Sequence, residues 1–315
     1  MSIHHVTAIA GDPQRTLDFY AGVLGLRLVK LTVNFDDPGT YHFYFGDELG
    51  RPGSILTFFP WPDGEPGRAG TGQVNEIAFA VPQTSLGAWI ERLLSHGIKF
   101  EGPISRFDER VLAFRDPDGL LLEVVASRRV NEIAPWRDGP VPSPHAIRGV
   151  HGITIWEDGD RGTAALLTDT LAFRPVAEEG HRFRFESAGA GAGTVVDLRR
   201  TTGFWSGVMG VGTIHHVAFR AASDEAQVIK RAEVERLGLD VTPVIDRQYF
   251  RSVYFREPGG VLFEIATDGP GFAVDESPAE LGTSLKLPPM YEPVRDQLAR
   301  SLPPVRLPQV AAPEV

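Results

Sequence analysis

The sequence predicts an α+β fold of four similar units, each with one strand, one helix and three further strands. Short β-branched runs recur along the chain and place His5, Glu76, Gly152 and His216 at equivalent positions, 64 to 76 residues apart. Each run is followed by a helical pattern or by extended segments between turns, which is the signature of a structural repeat. At 315 residues, the chain is long enough for such a four-unit assembly.

The first unit, residues 1–65, shows the pattern most fully. A strand runs through residues 5–9, and Asp12 is the predicted N-cap of a helix with Pro13 at its first position. Gly25 ends that helix. The apolar stripe of the helix consists of Leu17, Tyr20, Ala21 and Leu24, and further strands are predicted at residues 27–33, 40–45 and 54–59.

The second unit, residues 72–128, completes an N-terminal half of residues 1–135. It opens with a strand at residues 74–79, and Gly97 ends its helix. The turn 116–119 precedes an apolar strand at residues 120–124. Leu86, Trp89, Ile90, Leu93 and Leu94 form the apolar stripe of the helix. A Pro-rich, charged segment from Asn131 to Pro144 is predicted to link this half to the next.

The C-terminal half, residues 145–276, holds the other two units. The third, residues 148–200, has a weaker helical pattern, with strands at 150–155 and 193–198. The fourth, residues 210–268, has Ser223 as the predicted N-cap of a helix whose apolar residues are Val228, Ile229, Ala232 and Leu237. Its turn 257–260 mirrors turn 116–119. A Pro-rich tail follows at residues 277–315, with a short helix expected between Tyr291 and Leu302.

Composition excludes several kinds of partner and site. The net charge of −10 argues against nucleic acid and anionic membranes as partners, and no apolar run approaches a membrane span. The sequence therefore predicts a cytoplasmic protein, whose assembly into a homo-oligomer it leaves open. Because the chain has no cysteine, any bound metal must be held by histidines and carboxylates.

Doubled histidines and one carboxylate stand in strands that would otherwise bury apolar side chains. They are His4-His5, His215-His216 and Glu264. Polar side chains in such runs are costly unless they are paired or bind a metal. Two histidines and one carboxylate with open positions form the facial triad of non-haem Fe(II) oxygenases. The sequence thus predicts a metal site with His5, His216 and Glu264 as ligands.

This set of repeats and motifs resembles the vicinal oxygen chelate superfamily, which contains glyoxalases, bleomycin-resistance proteins and extradiol dioxygenases. The resemblance implies that the βαβββ units pair into two cupped mixed sheets, with metal ligands on the first and last strands of paired units. The first-strand positions here are His5, Glu76, Gly152 and His216, and the last-strand positions are Thr57, Glu123, Asp197 and Glu264. Only the first and fourth units together supply two histidines and a carboxylate. We therefore expect units one and four to pair, and units two and three to pair.

Glyoxalase-type isomerases use a fourth protein ligand, a carboxylate, as their base. Thr57 occupies that position here and cannot abstract a carbon-bound proton at neutral pH. The triad resembles instead the ring-cleaving branch related to 2,6-dichlorohydroquinone 1,2-dioxygenase, and the tail motif 288–293 agrees with it. The resemblance implies Fe(II), with Mn(II) as the alternative metal, and an aromatic diol and O₂ as substrates. A Zn or Ni isomerase and a non-catalytic protein that binds an aromatic ligand are the alternatives.

The resemblance implies five residues around the metal. Thr7 shares a strand face with His5, and Arg247 is suited to hold a phenolate or carboxylate oxygen. Tyr254 or His215 is expected to donate a proton. His4 and His215 are expected to titrate near neutrality. The aromatic residues Trp205, Tyr249, Phe250 and Phe272 are interpreted as core packing, with lining of an apolar pocket as the alternative, and structural roles are assigned to Glu123, Asp197, His42, His96, His145, His151 and His181.

Overall fold

The structure is a computed structural model that describes residues 1–130, 133–189 and 191–308. The predicted linker begins at Asn131, which lies outside the described residues together with residue 132, as do residues 309–315 of the predicted tail. Residues 133–144 of the linker contain neither helix nor strand. No helix among the described residues is long and apolar enough to cross a membrane.

Every unit contains the predicted order of elements. The N-terminal units comprise β1 (Ile3–Ala10), α1 (Pro13–Leu17, continued as a π-helix over Asp18–Val23), β2 (Arg27–Val33), β3 (Tyr41–Gly46) and β4 (Ile55–Pro60), then β5 (Gln73–Pro82), α2 (Leu86–Ser95), β6 (Phe100–Arg106), β7 (Glu109–Arg115) and β8 (Leu121–Ser127). As predicted, Asp12 caps α1 by accepting a hydrogen bond from the Arg15 backbone N–H at 2.7 Å.

The C-terminal units repeat this order. They comprise β9 (Val150–Glu157), α3 (Arg161–Ala165, continued as a π-helix over Leu166–Thr170), β10 (Phe173–Glu179), β11 (Arg182–Ser187) and β12 (Val195–Arg200), then β13 (Thr213–Ala221), α4 (Asp224–Arg236), β14 (Ile245–Asp246), β15 (Arg251–Arg256) and β16 (Leu262–Thr267). The helix predicted in the tail is α5 (Arg295–Ser301).

The strand order confirms the predicted pairing of units. The described residues form one eight-stranded sheet in the order β14-β15-β16-β13-β1-β4-β3-β2 and another in the order β10-β11-β12-β9-β5-β8-β7-β6. The first sheet therefore combines units one and four, and the second combines units two and three. Corresponding strands meet in the same register, since Val6 lies opposite Val217 and Ile77 lies opposite Ile153.

The two sheets share one hydrophobic core. Phe43 and Phe219 of the first sheet and Phe79 of the second are fully buried in it. The predicted stripe of α2 contributes Trp89 and Leu93, which are 1% and 0% exposed. Because this core joins both sheets, the chain folds around interleaved halves rather than two successive globules.

The apolar stripe predicted for α4 is wrong. Val228, Ile229 and Leu237 are more than half exposed, whereas Gln227 and Val234 are buried. Gln227 explains the orientation, because its side-chain amide donates hydrogen bonds of 2.7 Å to the carbonyl oxygens of Arg251 and Ile265. These two hydrogen bonds to the sheet thus outweigh the burial of a few apolar side chains of the helix.

The predicted aromatic cluster is only partly present. Tyr249, Phe250 and Phe272 are buried together with Tyr44. Trp205 lies elsewhere, 56% exposed, on a loop between β12 and β13. The interpretation as core packing therefore holds for Tyr249 and Phe272, whereas Phe250 is buried but also lines a cavity, and the interpretation fails for Trp205.

Candidate metal centre

The three predicted ligands lie on adjacent central strands of the first sheet. His5 is on β1, His216 on β13 and Glu264 on β16. The pairing of the strands brings them close together. Ala218 of β13 lies opposite His5 of β1 on one side and Glu264 of β16 on the other, and His216, two residues earlier on β13, lies opposite Thr7 of β1. All three ligand residues are buried, at 2%, 5% and 0% exposure. Unit one pairs with unit four in this sheet, an arrangement that we call the crossed pairing. This pairing is what brings the three side chains together.

The ligand atoms converge on one point. Glu264 Oε2 lies 2.9 Å from His216 Nε2 and 3.3 Å from His5 Nε2, and the two Nε2 atoms are 3.4 Å apart. Among the described residues, this is the cluster of histidines and acids whose ligand atoms all lie within 4.8 Å of one another. Although burial alone would raise the pKa of Glu264, His5 and His216 hold it well below its usual value.

The donor set fits a divalent metal. Glu264 Oε2 is buried and makes no well-aligned hydrogen bond, although His216 Nε2 and His5 Nε2 lie 2.9 and 3.3 Å away, and such an oxygen is costly to bury. A cation between this oxygen and the two imidazole nitrogens would satisfy it. Two histidines and one carboxylate suit Fe(II) and related metals and leave positions open for other ligands.

Each ligand histidine is oriented by the histidine that precedes it. His5 Nδ1 lies 2.9 Å from His4 Nδ1, and His216 Nδ1 lies 2.7 Å from His215 Nδ1. An imidazole that offers its Nε2 lone pair to a metal carries its proton on Nδ1, where it donates to such a partner. His4 and His215 therefore lie directly beside the predicted ligands, in contact with their Nδ1 atoms.

The pKa values of His4 and His215 differ from the expectation that these residues titrate near neutrality. Burial, followed by the neighbouring ligand histidine, lowers the pKa of each to about 3. Both imidazoles are therefore neutral at physiological pH. Desolvation of this kind disfavours the charged form of an imidazole.

Thr7, Arg247 and Tyr254 also lie where the sequence predicts them. Tyr254 is opposite Glu264 on β15, and its ring centroid is 5.7 Å from that of His216. Arg247 Nε donates to the Tyr254 hydroxyl at 3.2 Å. Thr7 accepts a hydrogen bond from Thr57 at 2.8 Å. Burial and the charge of Glu264 raise the pKa of Tyr254, so the phenol keeps its proton.

A cavity of about 300 Å³ opens over this cluster. Its walls include Phe35, Phe59, Trp61 and Phe250, and the Phe250 ring packs 5.1 Å from the ring of His5. Apolar walls with a few placed polar groups are typical of sites for small organic ligands. The volume and the aromatic walls suit a single substituted ring.

The second sheet has carboxylates at the equivalent positions, but arginines rather than histidines surround them. Glu76, Glu123 and Asp197 are nearly fully buried rather than solvated. Arg106 donates two hydrogen bonds to Glu123, and Arg182 bridges Glu76 and Asp197 at 2.8 and 3.1 Å. Guanidinium groups thus neutralise the acids, which agrees with the structural role that the sequence assigns to Glu123 and Asp197.

The remaining histidines differ in their surroundings. His145 contacts Ser85 and His151 contacts Glu109, as expected of structural residues. His42 instead lines the cavity over the metal cluster. The sequence could have indicated this position, because His42 stands two residues before Tyr44 on β3 and alternate residues of a strand share a face.

Ser252 is a further site residue that the sequence analysis misses. Its hydroxyl donates to Glu264 Oε1 at 2.5 Å, and the side chain is fully buried. This bond occupies one carboxylate oxygen and directs the other towards His5 and His216. Strand alternation puts Ser252 on the same face as Tyr254 and could have indicated it.

Ser252→Ala should weaken Fe(II) binding by about 10- to 100-fold, the usual effect of removing a group that orients a ligand. The sheet should remain folded, because only one hydroxyl is lost. Competition with a chelator under anaerobic conditions measures the affinity. Ser85→Ala, which removes a buried hydroxyl bonded to Pro144 far from the cluster, is the matched control. Equal affinities in both variants would contradict the role of Ser252.

The fold and the site agree with a known family. The chain belongs to the Glyoxalase/Bleomycin resistance protein/Dioxygenase superfamily, whose family model matches residues 2–124. MhqO of Bacillus subtilis strain 168, provisionally named a ring-cleaving dioxygenase, is 48% identical over 304 residues, which is 96% of each chain. This confirms the resemblance on which the predicted fold rests.

Two further relatives cover almost the whole chain. The chlorohydroquinone/hydroquinone 1,2-dioxygenase of Sphingobium indicum is 34% identical over 308 residues, 95% of each chain. A crystal structure of a provisionally named dioxygenase from Bacillus subtilis matches with a TM-score of 0.94 and 47% identity, covering 98% of both chains. Relatives with this architecture are thus named as ring-cleaving or hydroquinone dioxygenases.

Proposed function

We propose that this protein is an Fe(II)-dependent ring-cleaving dioxygenase that inserts O₂ into a hydroquinone- or catechol-type aromatic compound. The observation that carries the proposal is the convergence of His5, His216 and Glu264 Oε2 on one buried point. The names of the relatives, among them a hydroquinone 1,2-dioxygenase, support the same class of reaction. Such a reaction contributes to the breakdown of aromatic compounds.

His5, His216 and Glu264 would hold the iron, with Mn(II) as the alternative metal. Three protein ligands leave positions for substrate and O₂. When bound, the metal would acidify a substrate hydroxyl and provide a route for electrons from the ring to O₂. Ser252, His4 and His215 would keep the three ligands in position through the hydrogen bonds described above.

The cavity supplies binding and orientation. Its aromatic walls exclude water from one flat ring, and Phe59 and Phe250 offer faces against which that ring packs. Arg247 places a fixed positive charge at the same wall, and its guanidinium carbon lies 5.4 Å over the ring of Tyr254. A deprotonated substrate oxygen would be stabilised by this charge.

Tyr254 is the proton donor in this proposal. Its oxygen accepts the bond from Arg247 Nε, which leaves the hydroxyl hydrogen free to be donated into the cavity. The raised pKa keeps that hydrogen in place at neutral pH. His215, neutral and engaged with His216, is less suited to deliver a proton.

Thr57 argues against an isomerase of the glyoxalase type. It is fully buried beside Thr7, at the position where a carboxylate base would be required. A hydroxyl there is hydrogen-bonded to Thr7 and to His42 rather than poised to remove a proton from carbon. The intact ligand cluster likewise argues against a protein that only sequesters an aromatic ligand.

Oxygen uptake tests the proposal. Full-length protein loaded anaerobically with Fe(II) should consume one O₂ per hydroquinone or catechol cleaved and leave the hemithioacetal of glutathione and methylglyoxal unchanged. Tyr254→Phe should keep the iron and lower kcat by about 100-fold or more, because general acid catalysis is lost. Tyr41→Phe, which removes a hydroxyl bonded to the tail at Pro303, is the control.

Two outcomes would contradict the proposal. Isomerisation of the hemithioacetal without O₂ uptake would assign the protein to the isomerases. Binding of diols without any O₂ consumption would assign it to the ligand-binding proteins. Unchanged kcat in Tyr254→Phe would leave the dioxygenase intact but would transfer proton delivery to another group.

A further inference from the structure

His42 is a polar side chain held rigidly inside the cavity. It lies on β3, and its ring is packed against those of Tyr44 and Phe59, with centroid distances of 4.0 and 4.4 Å. Among the residues that line the cavity over the metal cluster, it stands on the side of β3 and β4, opposite the wall formed by Tyr254 and Arg247.

A chain of hydrogen bonds through Thr57 favours one tautomer of His42. Thr57 donates its single hydroxyl hydrogen to Thr7 Oγ1 at 2.8 Å. The Thr57 oxygen, 2.9 Å from His42 Nε2, is then placed to accept, which favours a hydrogen on Nε2. His42 Nδ1 is then an acceptor with a free lone pair. Among the described residues, it has no hydrogen-bond partner.

The wall opposite His42 carries two donors, and the carboxylate of Asp36, which also lines the cavity, is paired with Arg247. Tyr254 presents its hydroxyl hydrogen, and Arg247 is a cation. Burial, followed by the charges of His5 and His216, keeps the pKa of His42 well below its usual value, so it remains a neutral acceptor. The cavity thus has its donors on one wall and a fixed acceptor on the opposite wall.

We propose that His42 Nδ1 accepts a hydrogen bond from the second hydroxyl of an aromatic diol, and that this contact selects dihydroxylated rings over singly hydroxylated ones. The inference rests on the proposed function for the chemical class of the ligand. Tyr44 and Phe59 hold the imidazole plane, and Thr57 favours this tautomer, so the acceptor is in place before the ligand binds. His42 is a specificity-determining residue in this proposal.

Methyl ethers of the diols isolate the contact, because they keep one hydroxyl for the metal and lose the hydrogen of the other. Full-length protein loaded with Fe(II) should bind hydroquinone about tenfold more tightly than 4-methoxyphenol, or catechol about tenfold more tightly than 2-methoxyphenol. Binding is measured anaerobically by calorimetry, so that no turnover occurs. The quantity compared is the binding ratio, which is the affinity for the diol divided by the affinity for its methyl ether. The pair with the larger binding ratio identifies the position of the second hydroxyl.

His42→Phe keeps an aromatic ring between Tyr44 and Phe59 and should bring the ratio close to one. Thr57→Val should lower the ratio less, because His42 stays in place but loses the partner that favours its tautomer. His96→Phe, at an exposed position outside this cavity, is the control and should keep the wild-type ratio.

A wild-type ratio near one, or an unchanged ratio in a folded His42→Phe variant, would overturn the inference. If that variant does not fold, the same ratio in Thr57→Val as in the wild type would overturn it. Absence of diol binding by the wild type would do so as well. Failure of the proposed function is distinguishable, because it would appear as missing O₂ uptake while the binding ratios persist.

Discussion

His5→Ala, His216→Ala and Glu264→Ala should each abolish stoichiometric iron binding and ring cleavage. Each change removes one of only three protein ligands, so the loss of affinity should exceed the roughly 10- to 100-fold that follows from disturbing an orienting group. The sheet should persist, because His5 and His216 face the cavity and all three strands keep their backbone pairing. Metal content after anaerobic loading and gel filtration measures the effect.

Two controls sharpen this comparison. Glu264→Gln preserves the volume and the contact with Ser252 but lacks the negative charge, so it should also lose the metal. His151→Ala removes a buried histidine of the second sheet, bonded to Glu109, and should keep one iron per chain. Retention of stoichiometric iron by a folded Ala variant would contradict the assignment of that ligand.

Residues 140–315 expressed alone should bind no iron. This fragment contains both C-terminal units, but His5 is absent and β13 has lost its partner β1. The fragment retains only His216 and Glu264, and two ligands on an exposed strand edge cannot form the site. Co-expression with residues 1–135 should restore one iron per pair of fragments, because the cut lies in a segment without helix or strand.

Restoration by the second fragment shows that both pieces fold, so loss of iron in the single fragment is not simply misfolding. Metal content and gel filtration of the single and co-expressed fragments supply the measurement. A fragment of residues 140–315 that binds one Fe(II) and cleaves a diol by itself would contradict the assignment of the site to units one and four together.

The crossed pairing was predictable because it follows from residue types at repeated positions. Aligning four short strands leaves one combination that supplies His5, His216 and Glu264, and the strand order agrees with it. Strand alternation then predicts which neighbours share the face of the site, and Thr7 and Tyr254 both line the cavity. The repeat pattern, the chemistry of metal ligands and the strand positions implied by the family resemblance together predicted this part of the fold.

Features that depend on partners from distant strands were not predictable. The orientation of α4 is set by Gln227 and two carbonyls of the sheet, which no helical periodicity contains. The burial of Glu123 depends on Arg106, which lies on a different strand. His42 gains its role only when β3 and β4 place Thr57 beside it. Such contacts exist only after the strands have paired.

Anomalous diffraction at the iron absorption edge, from crystals of the anaerobically loaded protein, tests the central claim most directly. We expect one peak per chain, in coordination contact with His5 Nε2, His216 Nε2 and Glu264 Oε2, and with Thr57 outside the coordination sphere. A peak among the carboxylates of the second sheet, or a fourth protein ligand at the first, would contradict this account of the site.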